Sequence, residues 1–510
     1  MREEVRTKLD KFWNWSRESS EYWLTRFILL RVLGFTYFFA FLSLFMQLKP
    51  LLGSNGLTPV RSFLPQYVEF SQFLKLPTVF WFNQSDSFML ALAFIGVLIS
   101  FLVMIGFANV PMLVYNWFIY LSFVNVGQIW YSYGWEIQLV ETGFLAIFLV
   151  PLLDPRPLSG KLGPPKLIIW LFRWLGIRIY LGSGLIKMKG VECWHRMTCL
   201  DRFFQTQPIP NPVSPFMHYL PSVFHRFGII YNHFVQLIVP YSAIFENQYS
   251  WLRNWGGVLM LSLQAVLILV GNFAFLNWVT IVPVIAFFDD DFLSRFMPDR
   301  IVDRAEEAKK KAGKIGKKRH LFNLLLVASV IFMSVPVVVN LLSPQQTMNT
   351  SFSNWNFVNS YGAFGSVREA RTEVVVEGTR SESLENAKWR EYDFRHKPDQ
   401  EDDPLTVIAP YQPRIAWQMW FASFSQPERE PWFLHLTWKL LHDDPQAQKL
   451  VKEDPFGNKS PEYIRARLYR FELQPPSSQK NWDRELIGTW MKPVSDDNRR
   501  LERFVKRRYK

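Results

Sequence analysis

The sequence predicts an α-helical multi-pass membrane domain followed by a soluble α+β, β-rich C-terminal domain. Three observations predict it. Uncharged apolar runs of about twenty residues recur in the first two thirds of the chain, the length a helix needs to cross a bilayer. Of the 510 residues, 49% are hydrophobic and 17% aromatic, yet mean hydropathy is only +0.01, so a polar part offsets an apolar one. From about Asn349 onward the chain is charged, punctuated by Pro and without a spanning run.

Residues 1–22 are charged and lack an apolar core, which fits a cytoplasmic or interfacial segment and not a cleavable signal peptide. Residues 23–298 carry the spans of a helical membrane domain. Trp23–Leu48 is apolar but contains Arg26 and Arg31, whereas Phe88–Phe107 (FMLALAFIGVLISFLVMIGF) has no charge. Pro111–Ile129, Gly143–Leu153, Lys166–Ile186, Ile229–Phe245 and the long stretch Gly256–Phe288 are further candidates. Residues 299–320 form a basic linker with nine Lys or Arg against four acids. Short basic loops stay cytoplasmic. The last transmembrane helix, 321–342, then carries the C-terminal domain, 349–510, to the extracytoplasmic side.

In that domain Thr372–Glu377, Leu405–Ala409 and Tyr463–Leu473 read as strands, and Arg414–Phe424 and Trp432–His442 as amphipathic helices rich in Trp. A sheet with helices packed on one side is expected. Asn349-Thr350-Ser351 and Asn458-Lys459-Ser460 are candidate glycosylation sequons. The net charge of +13 is concentrated in the linker and in the basic end, Arg499–Lys510. It therefore reports membrane orientation and contact with acidic lipid headgroups or an acidic partner, and argues against nucleic acid.

Charges inside spans pair, line a cavity or do chemistry, because leaving them bare is costly. Arg26, Arg31, Glu136, Glu141, Arg173, Arg178 and Lys187 are in that position. Arg26 and Lys187 are expected to snorkel at span ends. Glu136 and Glu141 are expected to neutralise Arg173 or Arg178. The loop region 187–225 is the densest local signal. Its Cys193 and Cys199 are the only thiols, and a disulfide follows if they face an oxidising lumen. With His195 they lack a standard zinc spacing, so no metal site is expected. Thr206–Pro215 reads as a rigid surface loop. No phosphate loop, dinucleotide fingerprint or nucleophile elbow occurs, and no cofactor is expected.

The run Gly182–Leu220, with GSGLIKMKG, ECWHRMTCLD, QTQPIPNPVS and HYLP, resembles the lipase maturation factor family. So do HRFGIIYNHFVQLIVP from His225, QAVLILVGNFAFLNWVTIVP from Gln264, and YGAFGSVREARTEVVVEG, YQPRIAWQMWFASF, PWFLHLTWKLL and YIRARLYRFEL in the soluble part. The resemblance implies a multi-pass endoplasmic reticulum protein with a lumenal C-terminal domain, or a plasma-membrane protein in a bacterial relative. Its function would be chaperone-like: assisting the folding and assembly of secreted lipases. Client lipases and membrane lipids would be its partners, and no established catalytic residue comes with it. An exposed Trp-rich surface suits partly folded clients, and Trp417, Trp420, Trp432 and Trp438 are the candidate contacts. Two alternatives stand beside this. Gly184–Met188, followed by Trp194, is similar to a segment of the vitamin K-dependent gamma-carboxylase, which would make Lys187 a catalytic base in a membrane enzyme. Paired intramembrane charges also suit a transporter, although no inverted repeat is visible.

Overall fold

The computed structural model describes residues 2–17, 21–64, 70–457 and 459–509, so Asn458 lies outside the described residues. Among the described residues, six helices are long and apolar enough to cross a membrane: Trp23–Leu52, Asp86–Ile105, Lys166–Lys189, Ser222–Ile244, Asn247–Val270 and Lys317–Leu342. Val110–Val126 and Leu276–Ile285 are shorter apolar helices, and Gly134–Ile147 is a short one carrying both Glu136 and Glu141. The long stretch Gly256–Phe288 thus divides in two, with extended backbone at Gly271 ending the first helix.

Local chemistry sets these boundaries. The Ser85 hydroxyl accepts from the Phe88 amide to start Asp86–Ile105, and Gly106, at φ 118°, ends it in the left-handed conformation that glycine adopts without strain. Asn109 caps Val110–Val126 in the same way as Ser85. Asp290 reaches across the bundle to cap Trp23–Leu52, accepting from the amides of Trp23 and Leu24 at 2.8 Å each. The basic linker is largely helical, Asp299–Lys311, and the last span begins at Lys317, within the linker's basic residues.

The bundle has two distinct ends. At one, Ser16 bonds to His320, Asp290 caps the first long helix, and Arg319 donates to the carbonyls of Phe148 and Val150; this is the linker end. At the other, Asn55 donates to Asp444, Gln47 to the Gln412 carbonyl and Tyr219 to the Leu473 carbonyl; this is the domain end. Trp174 donates to Ser334 at 2.9 Å, and Lys189 to the Leu341 carbonyl at 2.6 Å. Helices Lys166–Lys189 and Lys317–Leu342 therefore run in parallel from the linker end to the domain end.

The C-terminal part is built on a four-stranded antiparallel sheet in the order Arg390–Glu391, Arg371–Thr379, Tyr463–Leu473, Trp482–Ser495. Arg371–Thr379 pairs with Tyr463–Leu473 without interruption, from Arg371 opposite Phe471 to Thr379 opposite Tyr463. One face contributes Val374, Val376, Ile464 and Ala466 to the main core together with Trp432, Phe433 and Leu436 of helix Pro431–Leu441. The other buries Val375, Phe471, Leu473 and Trp482 in a small separate core. Helices Arg414–Ala422 and Pro431–Leu441 lie where the amphipathic patterns place them.

One expectation is corrected, and one strand lies where none was expected. Leu405–Ala409 is not a strand: the amides of Ile408 and Ala409 donate to the Asn272 side chain, which in turn donates to the Thr406 carbonyl, so this backbone pairs with the bundle. The fourteen-residue strand Trp482–Ser495 was not expected; its pairing with Tyr463–Leu473 shifts register at several points, which breaks the alternation that marks a strand. The basic end forms helix Arg499–Tyr509, with Leu501, Val505 and Tyr509 buried and the Tyr509 ring stacked on His435 at 4.3 Å.

Candidate functional site

Helix Gly134–Ile147 places Glu136 and Glu141 inside the bundle, both fully buried. Glu141 forms an ion pair with Arg178. Its Oε2 also accepts from the Tyr361 hydroxyl at 2.6 Å and from the Asn359 amide and side chain at 3.0 and 3.1 Å. Arg178 closes the ring by donating to the Asn359 carbonyl at 2.8 Å. A short segment of the C-terminal part thus completes an intramembrane pair. Outside the spans, burial and the adjacent Glu141 carboxylate push the Tyr361 phenol well above its usual range, so it stays a donor.

Glu136 departs from expectation. Its partner is neither Arg173 nor Arg178 but Arg414, at 2.9 Å, from the amphipathic helix of the C-terminal domain. Arg414 also donates to the Trp130 carbonyl and lies 3.5 Å from the centre of the Tyr131 ring. Arg173 instead pairs with Glu246, near the linker end, where Arg253 bridges Glu246 and Asp289 at 2.9 and 2.8 Å. Both carboxylates of Gly134–Ile147 therefore depend on groups from beyond residue 349. An orphaned buried charge costs several kcal/mol, which ties the two halves together.

Between these contacts lies a cavity of about 410 Å³. Its walls come from helices Gly134–Ile147, Lys166–Lys189, Ser222–Leu237, Ser250–Val270 and Leu276–Ile285, and its roof from Met348, Asn349, Tyr361–Phe364 and Trp417. Lys187 lines it in the last turn of its helix and does not snorkel: it is 2% exposed. Its ammonium donates to the Ser183 carbonyl at 3.2 Å, Gln236 at 3.0 Å and the Ala363 carbonyl at 2.9 Å, with the Trp194 ring centre 5.3 Å away. Arg26 is likewise buried, donating to the carbonyls of Leu149 and Leu162. In both cases inward carbonyls replace the water that snorkelling would supply. Elsewhere on the wall Gln138 donates to Thr280 at 3.1 Å and Gln264 to the Tyr180 hydroxyl at 2.8 Å.

The loop region 187–225 covers one flank. Cys193 and Cys199 are joined, their Cα atoms 4.8 Å apart, and Cys199 is buried against Trp194 and Ile229. His195 is exposed and bonded to the Met188 carbonyl. The Pro-rich stretch is not a surface loop: Thr206–Asn211 is buried. Arg371, at the start of the central strand pair, donates to the carbonyls of Gln205, Gln207 and Pro208 while pairing with Glu373 at 2.6 Å. A buried guanidinium supplies the donors that a Pro-rich backbone lacks.

Of the candidate client contacts, Trp417 and Trp432 are interior. Trp417 packs edge-on against Trp135 at 5.0 Å, and Trp432 against Trp130 at 5.4 Å. Burial of their large apolar area against the bundle holds the two halves together. Trp420 and Trp438 are half-buried. Trp420 forms a cluster with Phe421 and Phe424, at 4.9 and 4.6 Å, and Phe421 is 41% exposed. Asn349 is exposed at the cavity roof, in left-handed backbone, and accepts from the Gly362 amide at 3.3 Å. Sequence reasoning flagged the buried carboxylates but missed Arg414, Asn359 and Tyr361; the isolated Arg at the head of an otherwise uncharged amphipathic helix was the available signal.

Two family models match: "Lipase maturation factor transmembrane domain" over residues 24–295 and "Lipase maturation factor C-terminal domain" over residues 357–492. The chain is 41% identical to lipase maturation factor 1 of Bos taurus, over 93% of this chain and 89% of that protein. It is 40% identical to lipase maturation factor 1 of Homo sapiens, over 93% and 88%. It is 26% identical to lipase maturation factor 2 of Xenopus laevis, over 88% and 79%. No solved structure matches.

Proposed function

The chain belongs to the lipase maturation factor family, and on that premise we propose that this multi-pass membrane protein is a chaperone-like factor for secreted lipases. It assists their folding and assembly in the endoplasmic reticulum, with its C-terminal domain in the lumen and client lipases as its partners. The observation that carries the reading is the likeness to proteins named lipase maturation factors through both halves of the chain, halves that Arg414 and the 359–361 segment fasten into one body. The basic linker lies at the opposite end of the bundle from the C-terminal domain, which supports a cytoplasmic linker and a lumenal domain. The joined Cys193 and Cys199 lie among loops at the domain end and suit an oxidising compartment.

The client surface we assign is the Trp420–Phe421–Phe424 cluster, with Trp438 as a further contact; Trp417 and Trp432 leave that surface and take a structural role. Partly folded clients expose apolar area, and an aromatic patch offers adaptable contact to it. Lys187 holds three acceptors around its three N–H groups, the arrangement of an ammonium with no lone pair to offer, which favours the maturation reading over base catalysis. Asn349 is the proposed glycan acceptor. The test is proximity crosslinking from the C-terminal domain in cells that secrete a homodimeric lipase. Enrichment of the immature lipase is expected, and Trp420→Ser with Phe421→Ser should lower it severalfold. Absence of lipase from the crosslinked set would sink the reading.

A further inference from the structure

We propose that the cavity is a binding site for one single-chain lipid with an anionic head, the head lying at Lys187 and the acyl chain running out between helices Ser222–Leu237 and Ser250–Val270. The inference rests on the membrane placement of the bundle and not on its client.

Four observations on this chain lead there. Lys187 is a buried cation, and among the described residues no carboxylate lies within 4.0 Å of its ammonium. The carbonyls around it and the C-terminal end of its own helix solvate the charge but do not neutralise it. Asn277 lines the same cavity at 3% exposure, and its carboxamide makes no hydrogen bond among the described residues. A carboxamide that faces the cavity without a protein partner is free to take one from a ligand there. Lys187 ends a helix that runs toward the domain end, and Asn277 begins a helix that starts there, next to Asn272 and its contact with Thr406. Both polar groups therefore sit at one depth, beneath the Tyr361–Phe364 roof, where a lipid headgroup lies.

Most of the remaining wall is apolar, its Gln138–Thr280 and Gln264–Tyr180 pairs being satisfied by each other, and it opens sideways. Phe224, 58% exposed, and Val266, 45% exposed, line the cavity from within while facing outward from two spans. The outer faces of those spans carry Phe227, Ile230, Phe234 and Leu269, all exposed, as a lipid-facing surface would. A lateral opening at that surface admits an acyl chain directly from the bilayer. The volume lies within the ordinary range for small-molecule sites, about 300–1,000 Å³. A neutral ligand would leave the Lys187 charge uncompensated, whereas a carboxylate or phosphate head pairs with it and can accept from Asn277.

The experiment uses the full-length protein in nanodiscs of zwitterionic lipid with three photoreactive probes: palmitate, monoacyl lysophosphatidate and neutral hexadecanol. Palmitate or lysophosphatidate should label peptides from residues 222–237 and 250–270, at least tenfold above hexadecanol. Unlabelled lipid of the same class should compete. Labelling by palmitate alone assigns a carboxylate head, and by lysophosphatidate alone a phosphate head. Lys187→Gln should remove the preference for the anionic probes, and Leu267→Trp, which fills the cavity, should remove labelling by all three. Equal labelling by neutral and anionic probes in the unmodified protein overturns the proposal, whether or not the variants fold. So does labelling that Leu267→Trp leaves unchanged. Lipase secretion measured in parallel keeps this outcome separate from the maturation role.

Discussion

At the residue scale, the decisive groups are the buried charges. The sequence marks Glu136 and Glu141 because carboxylates in an apolar run demand partners, but it does not show which cation arrives. Arg178 lies in a neighbouring span and was a legible choice; Arg414 is 278 residues from Glu136 and reaches it only through the tertiary fold. Arg414→Met should destabilise the protein by about 3–5 kcal/mol by orphaning Glu136. Adding Glu136→Gln should restore part of that, as read from thermal melting in detergent; a single variant that melts like the parent contradicts the pairing. Asp290 makes a second case. Burial lifts its carboxyl to about 6, against the pull of the Trp23, Leu24 and Thr25 amides. The folded state then holds this proton more tightly than the unfolded chain. The stabilisation is complete below about pH 4 and is lost as pH rises through about 6, on the order of 3 kcal/mol. Melting temperature followed from about pH 3.5 to 7 should carry that component, and Asp290→Asn should remove it.

At the element scale, apolar length was enough to place the long spans, because a helix crossing a bilayer leaves few other solutions. Alternation was enough for Tyr463–Leu473, whose neighbours pair on both sides. It failed for Trp482–Ser495, where register shifts disrupt the period, and it misplaced Leu405–Ala409, whose backbone is satisfied by Asn272. The Pro-rich stretch was read as surface because its backbone cannot pair internally; Arg371 satisfies it from another element. Arg371→Met should free that loop, and limited proteolysis should then cut within residues 205–215 at least tenfold faster than in the parent. Unchanged cleavage would show that the loop does not depend on the sheet. The six-residue separation of Cys193 and Cys199 predicts a smaller effect. Replacing both by Ser should cost roughly 2 kcal/mol on the chain-entropy model, seen as a lower melting point that reductant no longer shifts.

At the scale of the whole molecule, the division into an apolar bundle and a polar C-terminal domain was legible in the composition. Their interlocking was not, since no local pattern encodes contacts made across hundreds of residues. Trp417 and Trp432 looked like client contacts for that reason: a Trp-rich amphipathic helix has the same pattern whether it faces solvent or a second half of the protein. The bundle's two ends differ in what they carry, basic helices at one and the C-terminal domain at the other. A glycosylation sequon engineered into the exposed turn near Ser478 should therefore be modified in microsomes, and one in the linker near Gly313 should not. The central claim is tested most directly by lipase output. In cells lacking endogenous maturation activity, expression of this protein should raise the specific activity of a secreted homodimeric lipase at least tenfold, and Trp420→Ser with Phe421→Ser should cancel most of the gain at equal expression. Lipase activity that stays at the baseline with the intact protein present in the membrane would contradict it.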